Sequence, residues 1–261
     1  MTRAPYTRDD LLPLYDPKSV AVIGASPRPG SFGGRTIENL GGFDGTVYPV
    51  NEKYDEIGGH RCYPSLAALP TVPDLVVLTT PAASIEPLLE DCIAAGVSSV
   101  MVYASGFSEV ATEEGQAAQA RMASRITFAG TPEGRLEGGP AIGLVCQSGA
   151  LGFALVQAME RGVGFSHVVS CGNSSDVDVA DWVSALAAEP TCSAIACAFE
   201  GVADPRKFLA AAEAAWAADK PLIVYKMAVG EEGAAAAMSH TASLAGSAVL
   251  FLAGVAFAGG A

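Results

Sequence analysis

Residues 19–26 read SVAVIGAS, a short apolar run that ends in a glycine and two small residues. An apolar run that leads through glycine into a helical pattern, here at residues 35–40, is typical of a strand, a turn and a helix at the start of an α/β domain. Strands that alternate with helices indicate a mainly parallel sheet with right-handed crossovers. The alternation continues with predicted strands at 46–50, 75–78 and 98–103 and predicted helices at 84–95 and 113–123.

A second series of strands and helices follows residues 126–140, which contain glycine and proline and show no clear period. We therefore expect two α/β domains of ordinary size, residues 1–125 and 141–261, joined by a linker at 126–140. The strands predicted in the second series are 142–145, 166–170, 194–199 and 222–225, and its predicted helices are 149–161, 177–188 and 205–217.

Composition and charge exclude some classes of protein. Half of the 261 residues are hydrophobic and only 16% are charged, so a sizeable core is expected. The net charge of −13 argues against a nucleic-acid-binding face. The six cysteines form no CxxC pair, which favours buried free thiols in a reducing compartment. Because the first residues contain no apolar signal segment, we expect a cytoplasmic protein. The cysteines are Cys62, Cys92, Cys146, Cys171, Cys192 and Cys197.

The span 241–261 carries no charge and is long enough for a membrane helix. It is rich in glycine, alanine and serine, however, and it follows a strongly α/β chain. We interpret it as a buried helix and expect no association with a membrane, with a membrane span as the alternative.

The turn Gly24-Ala25-Ser26 lies where an open α/β sheet binds a nucleotide, beyond the carboxyl end of a strand. It is not a GxGxxG turn, and the second strand is followed by Asn51 instead of the acidic residue that binds a ribose hydroxyl. Both departures weaken a dinucleotide-binding interpretation. Nearby basic residues offer contacts to phosphates, and a plain turn with solvated basic side chains is the alternative. These residues are Arg28, Arg35 and Lys53.

A second turn, CQSGA at residues 146–150, leaves backbone N–H groups open for an anion at the start of a helix. It is not a GxSxG elbow, because Cys146 stands where the first glycine is required, so a nucleophilic serine is not expected. Cys146 itself is a candidate nucleophile, but the sequence shows no histidine partner for it.

Glu200 follows a predicted strand, where a carboxylate is placed to orient a histidine. A surface acid at a strand end is the alternative. Three more acidic residues cluster at 176–181 and could suggest a metal site. We favour the interpretation that Asp176 or Asp178 caps the helix that follows. The three residues are Asp176, Asp178 and Asp181.

His240 lies in a loop of small residues within KMAVGEEGAAAAMSHTASLAG, residues 226–246. A histidine there is able to swing and to sit at a helix N-terminus, where the helix dipole favours a phosphoryl group on the imidazole. An ordinary loop histidine is the alternative.

Eight stretches of this chain, in this order, resemble one family. They are VIGAS, YPVNEKYDEIGG, VYASGFSE, GLVCQSGALGFA, VSCGNSSDVDVADW, AFEGVADPRKF, KPLIVYKMAVG and SHTASLAG. The family is the NDP-forming acyl-CoA synthetases, related to the α subunit of succinyl-CoA synthetase. The resemblance implies a Rossmann-like CoA-binding domain followed by a flavodoxin-like, succinyl-CoA-ligase-type domain.

The resemblance also implies the site residues. His240 would carry the phosphoryl group, Glu200 would steady it, and Ser148 and Gly149 would bind its phosphate, with no metal held by this chain. Coenzyme A would bind at Gly24, Ala25, Ser26, Val50, Asn51, Lys53, Thr80, Pro81, Ala104, Ser105 and Gly106.

The implied reaction joins a carboxylic acid to CoA. Acyl-CoA and phosphate would exchange to give an acyl phosphate and free CoA. The acyl phosphate would phosphorylate His240. The phosphohistidine would then pass its phosphoryl group to ADP, with Mg²⁺, on an ATP-grasp domain. Every step is reversible. The chain contains no ATP-grasp segment, so we expect a partner domain or β subunit in a homo- or hetero-oligomer. A CoA-sensing regulatory module without ligase activity is the first alternative, and a dinucleotide-dependent oxidoreductase is the second.

Besides the missing ATP-grasp segment, three departures from the family pattern are visible. Ala242 stands where a glycine is usual, Cys146 replaces a serine, and the GPNC-x-G segment is absent near residues 125–126.

Overall fold

The computed structural model describes residues 3–104, the strand 128–130 and residues 140–227. The helices in these ranges are α1 (Arg8–Tyr15), α2 (Phe32–Asn39), α3 (Ile85–Ala95), α4 (Gly149–Val156), α5 (Val179–Ala188) and α6 (Pro205–Ala217). Short 3₁₀ helices occur at Leu40–Gly42, Leu66–Ala68, Ala82–Ser84 and Gln157–Arg161. The strands are β1 (Ser19–Ile23), β2 (Thr46–Val50), β3 (Glu56–Ile57), β4 (His60–Arg61), β5 (Leu75–Leu78), β6 (Ser99–Val102), β7 (Phe128–Gly130), β8 (Ala141–Cys146), β9 (Gly164–Ser170), β10 (Ala194–Phe199) and β11 (Leu222–Lys226).

The first sheet has the strand order β2-β1-β5-β6, and its pairs are parallel. The central strands are buried on both faces, as in Val22 of β1 and Val76 of β5, which are fully buried. Continuous apolar runs are what a parallel sheet covered on both faces requires, because successive side chains point to opposite sides. The strands at 46–50 and 75–78 therefore lie where the apolar runs predict them.

The second sheet has the order β11-β10-β8-β9-β7. Its strands are parallel except β7, which pairs antiparallel with β9. The predicted α/β architecture of two mainly parallel sheets is confirmed. The strands at 194–199 and 222–226 and the helix at 205–217 match their predicted positions to within one residue.

Several elements differ from the sequence predictions. Strand β7 lies within the interval predicted as a linker. Helix α2 begins at Phe32, three residues earlier than predicted, because the side chain of Ser31 caps it. The predicted helix 149–161 is α-helical only to Val156 and continues as a 3₁₀ helix. The helix predicted at 113–123 lies outside the described residues.

Helix α1 was not predicted. Thr7 and Asp10 form a capping box at its start. Its buried side chains, Leu11 and Leu14, belong to a hydrophobic cluster that includes Val77 of the first sheet and Val183 of α5. Helix α1 thus joins the cores beneath the two sheets.

Candidate functional site

The turn after β1 is built around Gly24, whose φ of +88° lies in the left-handed region. Its N–H donates to the Val50 carbonyl at 3.1 Å. A Cβ at this position would lie 2.9 Å from Thr79 Oγ1 and from Thr80 Cγ2. The turn therefore needs glycine for its backbone conformation and for its packing.

Helix α2 starts in contact with this turn. A Cβ on Gly33 would lie 2.4 Å from the Gly24 carbonyl oxygen, so the helix approaches the turn as closely as backbone atoms allow. Ser31 Oγ caps the helix by accepting a hydrogen bond from the Gly34 N–H at 3.1 Å. A helix N-terminus at the carboxyl edge of a parallel sheet presents N–H donors to an anion.

Asn51 braces the turn, which explains the absence of an acidic residue there. Its Nδ2 donates to the Ala25 carbonyl at 2.8 Å, and its Oδ1 accepts from the Lys53 N–H at 3.0 Å. Ser26 is 5% exposed, and its hydroxyl accepts from the Arg28 N–H at 3.2 Å. The side chain of Lys53 is exposed.

The remaining residues predicted for this site follow neighbouring strands. Thr80 and Pro81 come just after β5, and Ala104 comes just after β6. Within the described ranges, the buried Oγ1 of Thr80 has no hydrogen-bond partner. Ser105 and Gly106 lie outside the described residues. The structure thus brings nine predicted residues to one edge of the first sheet: Gly24, Ala25, Ser26, Val50, Asn51, Lys53, Thr80, Pro81 and Ala104.

Thr79 is a member of this edge that sequence reasoning missed. Its Oγ1 donates to the Ile23 carbonyl at 2.9 Å and so holds the end of β1 against the end of β5. A threonine at the end of an apolar run was the available signal.

The second turn follows β8. Ser148 is the N-cap of α4, and its Oγ accepts from the Leu151 N–H at 3.4 Å. Gly149 is the first residue of the helix. Ser170 Oγ, at the end of β9, donates to the Gln147 carbonyl at 3.3 Å. The predicted anion-binding turn therefore has a capped helix start and is fastened to the neighbouring strand.

Cys146 is fully buried at the end of β8. Burial raises the pKa of its thiol to about 11. Because the thiolate is the nucleophilic form, this cysteine is unreactive near neutral pH. The possibility of a nucleophilic Cys146 is thus not supported, and its contacts are those of a core residue.

Glu200 follows β10, the strand next to β8, and the structure links it to the second turn through Gln147. The N–H of Glu200 donates to Gln147 Oε1 at 2.7 Å. Since Gln147 immediately precedes Ser148, the acid and the anion-binding turn share one hydrogen-bonded edge. Sequence reasoning missed Gln147, because its partners lie 53 and 54 positions away.

Family models match both halves of the chain. Residues 18–128 match a CoA binding domain, and residues 138–261 match a succinyl-CoA ligase like flavodoxin domain. The chain belongs to the ADP-forming acyl-CoA synthetase family. The sequence resemblance is confirmed, and so is the predicted combination of a Rossmann-like and a flavodoxin-like domain.

Relatives within this family are similar over most of the chain. The chain is 38% identical to the ADP-forming acetate–CoA ligase I of Archaeoglobus fulgidus, over 90% of this chain and 37% of that protein. It is 38% identical to the α subunit of ADP-forming acetate–CoA ligase I of Pyrococcus furiosus, over 90% of this chain and 56% of that subunit. The chain therefore spans only part of the length of these relatives.

A solved member of the family has the same fold. It is a dinucleotide-forming acetyl-coenzyme A synthetase from Ca. Korarchaeum cryptofilum, in complex with phosphate and ADP. It superposes with a TM-score of 0.86 at 33% identity, over 96% of this chain and 59% of that one.

The end of β11 supplies one more polar group at the second edge. Lys226 Nζ donates to the carbonyls of Glu200 and Met227. Burial lowers the pKa of Lys226, partly opposed by the charge of Glu200. His240, which the sequence resemblance predicts to carry the phosphoryl group, lies outside the described residues.

The aspartates near α5 form an ion cluster. Asp178 caps the helix, as predicted, and forms a capping box with Asp181. Asp181 is fully buried, and its carboxylate lies 2.6 Å from Arg3 Nη1 and 2.7 Å from Lys207 Nζ. Among the described residues, no group of acidic, histidine or cysteine side chains is arranged to hold a metal ion. Arg3 and Lys207 balance the charge of these carboxylates instead.

The structure bears on two predictions from composition, those on the cysteines and on membrane-spanning helices. All six cysteines are unpaired and buried, as expected. Within the described parts of the chain, no helix is both long enough and apolar enough to cross a membrane. The uncharged span 241–261 lies outside those parts.

Proposed function

We propose that this chain is the CoA-binding and phosphohistidine-bearing part of an ADP-forming acyl-CoA ligase. The ligase would convert a carboxylic acid, CoA and ATP to acyl-CoA, ADP and phosphate. The observation that carries the proposal is the hydrogen-bonded link from Glu200 through Gln147 to the Ser148 turn. It fixes the main chain of Glu200, which bears a carboxylate, next to the turn at a helix N-terminus, and these two groups are suited to orient a phosphorylated histidine and to bind its phosphate.

Coenzyme A would bind at the carboxyl edge of the first sheet. Gly24 and Gly33 carry no side chain where the turn meets the start of α2, and this would let a pyrophosphate approach the backbone there. Thr80 Oγ1 would complete its hydrogen bonding with the coenzyme. The exposed side chains of Arg28 and Lys53 flank the same edge and would attract phosphates in an otherwise acidic chain.

The phosphoryl group would be transferred at the edge of the second sheet. In the direction that consumes acyl-CoA, a neutral imidazole of His240 would attack the phosphorus of an acyl phosphate, and a carboxylate would leave with the bonding electron pair. Synthesis of acyl-CoA would run through the same step in reverse. The N-terminus of α4 at Ser148 and Gly149 would stabilise the negative charge of the phosphoryl group. Glu200 would orient the ring and compensate the positive charge that develops on it.

The nucleotide half of the reaction needs another domain. ADP would take the phosphoryl group from His240 on an ATP-grasp domain or β subunit with Mg²⁺. The named relatives support such a partner, because one of them is an α subunit. We propose a homo- or hetero-oligomeric, cytoplasmic enzyme without nucleic-acid or membrane partners.

The acid is proposed only as a class. The names of the relatives include acetate–CoA ligases, a trans-feruloyl-CoA synthase at 34% identity and a 4-hydroxybutyrate–CoA ligase at 33% identity. The proposal therefore names a carboxylic acid without fixing its side chain.

Formation of the phosphoenzyme tests the proposal. The full-length protein, or this chain with its ATP-grasp partner, is incubated with γ-labelled ATP and Mg²⁺. We expect an acid-labile, base-stable label on the peptide that contains His240. His240→Ala should lose the label and keep CoA binding. A protein that binds CoA but is not labelled would instead be a CoA-sensing module.

A further inference from the structure

Glu200 is held by side chains from both strands that flank β10. Its main-chain N–H donates to Gln147 Oε1, which extends from the end of β8, and its carbonyl accepts from Lys226 Nζ at the end of β11. Strand β10 pairs with β8 on one side and with β11 on the other. The main-chain N–H and carbonyl of Glu200 are thus both bound by side chains, just beyond the point where regular strand pairing ends.

The amide of Gln147 extends the sheet past its last strand pair, Ala198 with Cys146. Gln147 is 5% exposed, and its Nε2 donates to the Gly201 carbonyl at 2.8 Å while its Oε1 also accepts from the Gly201 N–H at 3.3 Å. A buried amide is costly unless it is hydrogen-bonded. Its bonds to residues 200 and 201 therefore fix the turn after β10 relative to Ser148.

Lys226 performs the corresponding role on the other side. It pairs in register with Phe199, and the next residue, Met227, donates its N–H to the Phe199 carbonyl at 2.9 Å. The ammonium then binds the carbonyls of Glu200 and Met227 together. Hydrogen bonds from a charged donor are about twice as strong as neutral ones. The start of the segment that leads to His240 is thereby joined to Glu200.

We propose that Gln147 and Lys226 are positioning residues of the phosphoryl-transfer site, which act by fixing the backbone of Glu200 between the Ser148 turn and the start of the His240 segment. This inference rests on the proposed function of Glu200 and His240. Its physical basis is that a misplacement of about 1 Å in a catalytic arrangement can reduce a rate about 100-fold.

The test measures the rate of phosphoenzyme formation in the full-length protein, or in the complex with the ATP-grasp partner. Lys226→Met and Gln147→Met should lower this rate about 10- to 100-fold, with the dissociation constant for CoA unchanged, because CoA is assigned to the other sheet. Lys226→Arg should recover most of the rate, since a guanidinium also donates to two carbonyls.

Lys220→Met is the matched control. Lys220 lies just before β11, and its Nζ likewise donates to two main-chain carbonyls, those of Leu186 at 2.9 Å and Glu189 at 2.6 Å. It makes the same kind of contact at the opposite end of the strand. We expect this variant to keep the wild-type rate of phosphoenzyme formation. Equal losses in Lys220→Met and Lys226→Met would show a general effect on stability and would overturn the inference.

A double-mutant cycle shows whether Lys226 acts through Glu200. In a Glu200→Gln background, Lys226→Met should cause less than about a twofold further loss, because groups that act as a unit are not additive. Losses that multiply would overturn the inference. Wild-type rates in folded Lys226→Met and Gln147→Met variants would overturn it while leaving the proposed function intact. An unlabelled wild-type protein would overturn both.

Discussion

The carbonyl oxygen of Gly24 and the α-carbon of Gly33 approach so closely that a Cβ on Gly33 would lie 2.4 Å from that oxygen. This contact seats the start of α2 on the turn after β1. The carbonyl belongs to a turn that Asn51 braces through the neighbouring carbonyl of Ala25. The geometry of the proposed CoA site therefore depends on the absence of a single methyl group.

Gly33→Ala should weaken CoA binding at least tenfold and reduce the free energy of unfolding by about 1–3 kcal/mol, because the helix must shift away from the turn. Titration calorimetry with CoA and urea unfolding measure the two effects. Gly41→Ala is the control, since a Cβ there meets no atom within 4 Å. An unchanged affinity in Gly33→Ala would contradict the assignment of CoA to this turn.

Thr80→Val tests the unpartnered hydroxyl. The substitution keeps the shape of the side chain and removes Oγ1, which has no hydrogen-bond partner in the described part of the chain. We expect the affinity for CoA to fall up to about tenfold, because about one hydrogen bond is lost. The free energy of unfolding should not decrease. Thr71→Val is the control, because its hydroxyl lies 3.0 Å from Tyr48 OH and outside the proposed site. Equal affinities for Thr80→Val and the wild type would show that Oγ1 does not contact the coenzyme.

Lys207→Met should destabilise the protein by about 3–5 kcal/mol, because it removes the ammonium that Asp178 and Asp181 share and leaves Asp181 with Arg3. Lys207 is 7% exposed, and its Nζ lies 2.7 Å from Asp181 and 3.0 Å from Asp178. Lys18→Met, at an exposed ion pair with Asp16, should cost less than about 1 kcal/mol. Urea unfolding of the two variants gives the comparison, and similar losses would contradict the role assigned to the buried cluster.

Acid should destabilise the protein by protonating Glu189. Burial acts to raise the pKa of Glu189, but hydrogen bonds from Thr191 and Arg8 outweigh it and lower the pKa. A lowered pKa stabilises the fold above the unfolded value, about 4.3, and this contribution is lost as the pH falls through the folded value.

The free energy of unfolding, measured from pH 7 to pH 2.5, should therefore decrease below about pH 4.3. Glu189→Gln should be less stable at pH 7 and should show a smaller decrease. Asp178 has the opposite sign, because burial and Asp181 raise its pKa. An identical pH dependence in Glu189→Gln and the wild type would show that the ionised carboxylate of Glu189, with its bonds to Thr191 and Arg8, does not stabilise the fold.

The strands of both sheets were predictable because parallel strands buried on both faces are continuous apolar runs. The bounds of β2 and β5 follow directly from such runs. Helix α1 was not predictable from its apolar pattern, because its eight residues include Pro13 and only two buried leucines. The available signal was the spacing of Thr7 and Asp10, a capping box. A short helix of this kind is stabilised by tertiary packing, which a local pattern does not contain.

The candidate sites were predictable to the same degree. Turns such as Gly24–Ser26 and Ser148–Gly149 follow apolar runs, so their place at a sheet edge could be inferred. The groups that hold these turns could not, because their partners are distant in sequence. Asn51 binds the carbonyl of Ala25, and Gln147 binds the main chain of Glu200. Such contacts appear only when the order of the strands is known.

The ion cluster at α5 also has a consequence for synthesis on the ribosome. Asp181 and Lys207 are translated much later than Arg3. At about 5–20 residues per second, an interval of roughly 200 residues lasts about 10–40 s. Arg3 is therefore translated well before the carboxylates that bind it in the folded protein. Until Asp181 leaves the ribosome, Arg3 cannot form this ion pair.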